Sequence, residues 1–319
     1  MGARDSVGGV WHGVYFAMLA VMGALSFAHS GGLRVDGTLL LTTSLVMLGL
    51  FLTMARRRSP DVHAFGAVLR ANWRWGLERY LLFQTSLLFL LWLAPIKGAI
   101  PARGGYWADA IFAQAERAAF GVDPWKILHL LPDGVTPVID LIYGAWIVLI
   151  VLVSLIVAMF AGDRLAARYF LAWGMAWLLL GVVVAHALPS AGPKIGPDLG
   201  FGFDGLHEEL KGTLAMRFHD MLWATHAGQS GDLGGGISAM PSMHCAITFI
   251  FVAAAWRTRW REAVIIYAAI IWFGSVYLGW HYALDGLVSL IGIALIWRAT
   301  AVIVDAQWPA FRPAIGDSA

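Results

Sequence analysis

Two short segments in the last third of the chain carry side chains able to do chemistry: Ala239-Met240-Pro241-Ser242-Met243-His244 and Gly279-Trp280-His281-Tyr282-Ala283-Leu284-Asp285. Each sets a histidine beside an uncharged run long enough to cross a bilayer, where an ionisable group is costly and is usually kept for a function. His281 and Asp285 are four residues apart, so at the start of a helix they share a face. The carboxylate can then accept a hydrogen bond from one ring nitrogen. That bond fixes the tautomer, leaves the other nitrogen's lone pair free, and stabilises the positive charge that develops if this nitrogen attacks phosphorus. His281 is therefore a candidate nucleophile. His244 follows Pro241-Ser242 at the first turn of an apolar run, where free backbone N–H groups and the helix dipole favour an anion. There it can protonate a departing oxygen. The three residues describe phosphoryl transfer through a histidine, with no metal and no cofactor required.

The elements that must position them are membrane helices. Of the 319 residues 59% are hydrophobic, 13% are charged and 16 are tryptophan, and the mean hydropathy is +0.71. A soluble domain carries about 25% charged residues, so the chain is read as an integral membrane protein. The net charge of +2, with basic residues scattered through short loops, gives no sign of a nucleic-acid partner. The single Cys245 allows no intrachain disulfide. Ten histidines show no zinc-type ligand spacing along the sequence.

A crossing takes about 20 apolar residues, and eight stretches qualify: 11–30, 37–55, 78–97, 136–161, 167–188, 241–256, 262–280 and 282–304. The expected fold is all-α, a polytopic bundle of about eight spans. The apolar run from Trp11 to Leu33 is longer than an ordinary signal core, which favours a first span over a leader cleaved near Ser26-Phe27-Ala28. The division expected is N-terminal membrane helices over 1–97, a catalytic membrane domain over 98–304, and a tail over 305–319. Clusters at Arg56, Arg57, Arg58, Arg70 and Arg74, at Arg164 and Arg168, at Arg257, Arg259 and Arg261, and at Arg298 fall on one side if the spans alternate. The positive-inside rule makes that side cytoplasmic. Both termini then lie inside, in a plasma or inner membrane, and both histidine segments face the extracytoplasmic surface.

Two long loops share that surface. Over 106–120, Trp107, Ile111, Phe112, Ala115 and Ala119 oppose Asp109, Glu116 and Arg117, the pattern of a helix lying among the headgroups. The loop 189–240 repeats Leu206, Leu210, Leu214, Phe218 and Leu222 at helical spacing and ends in Gly234-Gly235-Gly236. It is read as a partly helical cover over the site. His12, His29, His63 and His129 fit an interfacial belt better than a site. His186 suits either a site or an anchor, and Asp140 and Tyr143 a structural hydrogen bond. Lys194, between Pro193 and Gly196, is read as a phosphate clamp, because little other positive charge is near. Cys245 is read as a small packing residue.

These residues resemble a known family. The PSMH segment is similar to the PSGH motif of the type 2 phosphatidic acid phosphatase superfamily, and Gly274-Ser275 through His281 to Asp285 matches the spacing of its Ser-Arg-x5-His-x3-Asp motif. With Pro189-Ser190-Ala191-Gly192-Pro193, both segments further resemble the branch containing inositol phosphorylceramide synthases. The resemblance spans about 100–290. It implies a helical membrane bundle with His281 as nucleophile, His244 as general acid, Asp285 as the partner of His281, and no metal. Two departures bear on the phosphate clamp. The Lys-x6-Arg-Pro motif is missing, since Lys97 and Arg103 are one residue too close and lack the proline, and Ser275 stands where that family has arginine. Lys194, Lys97, Arg103 and Arg217 are the candidates for the clamp, with Lys194 favoured, and Ser242, Lys194, Ser275 and Arg217 are the candidates for binding substrate.

The expected activity is transfer of a phosphoryl or phospho-headgroup from a lipid phosphate substrate, through a phosphohistidine, to an alcohol or polyol. Hydrolysis, with water as acceptor, is the alternative. A transporter, or a haem protein using the same histidines, is a further class that a broken helix at the bilayer midplane or a visible absorption band would reveal.

Overall fold

The computed structural model describes residues 9–33, 35–226 and 236–306. Gly234, Gly235 and the tail from 307 lie outside the described residues. Every regular element among them is a helix.

Helices α1 (Val10–Ser30) and α2 (Gly37–Arg58) pack on α3 (Val62–Gly98). Asp36 and Asp61 start α2 and α3 by accepting the amides of Leu39 at 2.9 Å and Ala64 at 2.8 Å. The cap at Asp61 lets α3 begin 16 residues ahead of the expected span at 78 and run through Arg70, Arg74 and Arg79. Its 37 residues reach about 55 Å, well beyond the hydrocarbon thickness. Buried Arg79 is held by Asp163 at 2.7 Å.

Next come α4 (Ala108–Phe120), α5 (Pro124–Leu128), and α6 (Val135–Gly144) with α7 (Trp146–Phe160), two helices bent by 42°. A continuous span Asp163–Ala187 follows, made of α8 (Asp163–Met175), a π-helical stretch Ala176–Val184 and α9 (Ala185–Ala187). Tyr169, Phe170, Leu171, Ala172 and Trp173 are each at most 1% exposed, so this part of α8 is buried on every side and sits in the middle of the bundle. It packs on α1, α3, α13 (Met243–Ala255) and α15 (Ala283–Asp305), and α14 (Arg261–Tyr277) completes the set.

Among the described residues five helices are long and apolar enough to cross a membrane, six if the bent pair α6–α7 is one span. The expected spans 241–256 and 262–280 are helical but only 13 and 17 residues long. The first is short because Ser242 caps α13, leaving the preceding residues as loop.

The cover contains α10 (Gly196–Leu199), α11 (Leu206–Glu209) and α12 (Leu214–His226). The leucine repeat runs through two helices there. The chain breaks it at Gly212, whose φ of 83° ends one helix, and Asp140 restarts the next by accepting the amides of Leu214 and Ala215. Asp140 thus has the structural role expected of it. Helix α4 forms as predicted, with its faces reversed from the soluble pattern: Asp109 and Glu116 are buried, whereas Trp107 and Ile111 are about half exposed.

Candidate active site

The two histidines are positioned by the starts of two helices. Ser242 Oγ accepts the Cys245 amide at 3.3 Å, which places His244 in the first turn of α13. Asp285 Oδ2 accepts the Tyr282 amide at 3.0 Å, which starts α15 just after His281. The capping carboxylate is also the histidine's partner. His281 Nδ1 lies 3.2 Å from Asp285 Oδ2 and 2.8 Å from the Ala239 carbonyl oxygen. Both are acceptors, so the proton belongs on Nδ1 and the Nε2 lone pair is left for chemistry.

His244 is held by stacking. Its ring lies 4.6 Å from Tyr143 at 21° and 4.2 Å from Trp146 at 40°, so α6 and α7 fix its plane. The His244 and His281 ring centroids are 5.9 Å apart. Both line a cavity of about 340 Å³ whose apolar wall includes Leu90, Trp177, Gly181 and Ile195. Trp177 and Gly181 in the π-helical stretch and Ala185 at the start of α9, four residues apart, form one side of it.

A relay of backbone bonds reaches the site from α4. Asp109 accepts the Ser190 hydroxyl at 2.7 Å and the amides of Ala191 at 2.8 Å and Gly192 at 3.0 Å. The Ser190 carbonyl in turn accepts the Ala239 amide at 2.7 Å, and Ala239 accepts from His281. Gly192 has a φ of 87°, and a Cβ there would lie 2.5 Å from the Trp280 carbonyl oxygen, so this segment passes the His281 turn at a distance only glycine permits. Glu116 Oε1 accepts the Leu284 amide at 3.1 Å and serves as a second cap for α15. Burial raises the Asp109 carboxyl above its ordinary range, against the hydrogen bonds it accepts, and pushes Glu116 up to about 7.

Of Ser242, Lys194, Ser275 and Arg217, none lines the cavity, whereas the clamp candidate Lys97 does. Lys194 lies behind Trp280, with its ammonium 5.0 Å from that ring and 3.6 Å from Met216 Sδ. Burial pulls it down to about 7. Arg217 is exposed on α12. Ser242 ties helices together, its carbonyl accepting the Ser289 hydroxyl at 2.8 Å. The Ser275 hydroxyl bonds within its own helix to Trp272 at 2.7 Å, and its carbonyl accepts the His281 amide at 3.1 Å. The cation in the cavity wall is Lys97. Gly236 lets the loop lie against it, since a Cβ at 236 would fall 2.3 Å from that of Lys97. His186 bonds back to Val182 at 2.8 Å, in its own span.

Sequence reasoning missed Trp146 and the buried roles of Asp109 and Glu116. The one available signal for the acids was their place on the polar side of an amphipathic helix, which in a membrane protein can be the side facing protein.

No curated protein and no solved structure gives a match to the chain. The model of the family described as the PAP2 superfamily matches residues 120–299, which is more than half of the 319 residues and contains both histidine segments. The chain therefore belongs to the PAP2 superfamily, and its general function is that of a membrane phosphatase or phosphotransferase acting on lipid phosphates.

Proposed function

We propose that this chain is a metal-independent lipid phosphotransferase working through a phosphohistidine at His281. The carrying observation is the pinning of His281 Nδ1 between Ala239 and Asp285, with His244 across the same cavity. In the first step Nε2 attacks phosphorus in line, the bond to the lipid alcohol breaks, and His244 gives that oxygen its proton. In the second, His244 takes the proton of an incoming hydroxyl, whose oxygen forms the new bond to phosphorus as the N–P bond breaks. Asp285 stabilises the imidazolium in between. Lys97 takes the phosphate-clamp role first assigned to Lys194, because it is the cation in the cavity wall. The site opens extracytoplasmically, opposite the arginine-rich end.

Transfer to an alcohol or polyol, rather than to water, is favoured by the cover. Ile195 and Leu222 from 189–240 close over a largely apolar cavity, which excludes solvent while an acceptor is held in line. The similarity to inositol phosphorylceramide synthases points the same way. Purified protein in lipid nanodiscs, given labelled phospholipid and a panel of polyols including inositol, should form a new phosphodiester faster than it frees inorganic phosphate. Full-rate release of phosphate with no capture by any polyol would establish hydrolysis instead.

A further inference from the structure

The cover holds a second cluster of ligating side chains, separate from the catalytic cavity. Asp198 in α10, His207 in α11 and His219 in α12 bring three ligand atoms within 4.8 Å of one another. They are 9 and 12 residues apart in sequence, a spacing that no short motif reveals. His219 is 3% exposed. Its Nδ1 lies 3.0 Å from Asp220 Oδ1 and its Nε2 lies 2.8 Å from Asp198 Oδ2. Ionised carboxylates only accept hydrogen bonds, so once Nδ1–H is given to Asp220, the Nε2 lone pair faces another acceptor. That contact needs a cation to offset it: at 2.8 Å it fits a second proton, and opening to about 3.3 Å, the edge of a tetrahedron with ligands at about 2.0–2.1 Å, admits a zinc ion. His207 supplies the third atom. Its Nε2 is 3.7 Å from the same Asp198 oxygen and 2.7 Å from the Lys194 carbonyl oxygen.

We propose that Asp198 Oδ2, His207 Nε2 and His219 Nε2 bind one Zn²⁺ ion, with water in the fourth position. Two imidazoles and one carboxylate suit zinc rather than calcium or magnesium, which take oxygen ligands. Asp220 completes the arrangement by accepting the outer N–H of a ligating histidine, which fixes the ring and its tautomer. Loading moves the His207 proton to Nδ1 and releases the Lys194 carbonyl from its bond to that ring. The ion clips α10, α11 and α12 together beside the Lys194 segment, whose amide bonds the Gly279 carbonyl at 2.7 Å, two residues before His281. The site is structural and takes no part in bond making at phosphorus.

Full-length protein in nanodiscs, stripped with chelator and re-equilibrated with zinc alone, tests this by elemental analysis, and cobalt alone provides an absorption probe. Wild type and His281→Gln should each retain one zinc per chain, and cobalt should give the intense visible bands of a four-coordinate site. His207→Ala should lose the bands and retain under a tenth of the metal. Asp220→Asn, which removes no ligand, should still load but with affinity weakened about 10–100-fold. Zinc should also raise the thermal midpoint of wild type and not that of His207→Ala. The proposal is overturned if wild type retains less than a tenth of an equivalent or if His207→Ala binds as wild type does, a proton alone then bridging Asp198 and His219; unchanged affinity in Asp220→Asn overturns the part given to Asp220.

Discussion

At the scale of single residues, the proposed mechanism gives His281 and Lys97 different parts, which separate in kinetics. His281→Gln should abolish turnover while the protein still folds, and Asp285→Asn should cost roughly two to four orders of magnitude, as an orienting carboxylate does elsewhere. Lys97→Met should lower kcat/KM for a lipid phosphate by about 10²-fold, as loss of a preorganised cation on a transferring phosphate would. Lys194→Met should leave it within a few-fold of wild type, and the opposite ranking would return the clamp to Lys194. Glu116 gives a pH signature. Its folded value of about 7 lies above the ordinary 4.5, so its contribution to stability is full below about pH 4.5 and is lost as pH rises through about 7. Lys194, lowered from 10.5 to about 7, contributes in the opposite window, above about pH 10.5, and loses that as pH falls through about 7. Thermal midpoints of wild type should therefore fall between about pH 4.5 and 7. Glu116→Gln, whose amide oxygen still accepts the Leu284 N–H but cannot ionise, should flatten that fall; parallel profiles would remove Glu116 as its source.

At the scale of elements, the close approach at Gly236 is exposed to a single change. A methyl there meets Lys97 Cβ at 2.3 Å and the Ala94 carbonyl at 2.9 Å, so Gly236→Ala should lower the thermal midpoint and displace the cavity's cation. A wild-type midpoint together with wild-type kcat/KM would show that the loop yields at no cost. What the sequence made legible follows from the range of each interaction. The His281–Asp285 pair and the Ser242 cap are four and three residues long, and helical spacing reveals them directly. The stacking of His244 on Tyr143 and Trp146 joins residues about a hundred positions apart, which no local pattern records. The leucine repeat over 206–222 is real, but the left-handed turn at Gly212 divides it into two helices. In α4 the two faces were read correctly and their environments were not: beside lipid the apolar face can turn outward, which leaves Asp109 and Glu116 to bond the backbone inside.

At the scale of the whole molecule, the arginine clusters and the site occupy opposite ends. Arg164, Arg168, Arg257 and Arg298 line one cavity between α8, α13 and α15, and Arg58 lines another beside Asp163. The bundle therefore has an arginine-rich end, which the proposed orientation places in the cytoplasm. Leu130, 84% exposed and next to His129, whose ring meets the Tyr277 carbonyl at 2.8 Å, and Thr258, exposed in the turn between α13 and α14, are suitable reporters. In a Cys245→Ala background, a cysteine replacing Leu130 should react with an impermeant thiol reagent in intact cells, and one replacing Thr258 should react only after lysis. The reverse pattern would put the chemistry in the cytoplasm.

The central claim, covalent catalysis at His281, is tested most directly by rapid acid-free quenching of purified protein mixed with radiophosphorus-labelled phospholipid in the absence of an acceptor, followed by peptide mapping. The account predicts an acid-labile label on the peptide containing His281, absent from His281→Gln and discharged when acceptor is added. A label on another residue, or sustained turnover by His281→Gln above a few per cent of wild type, would contradict it.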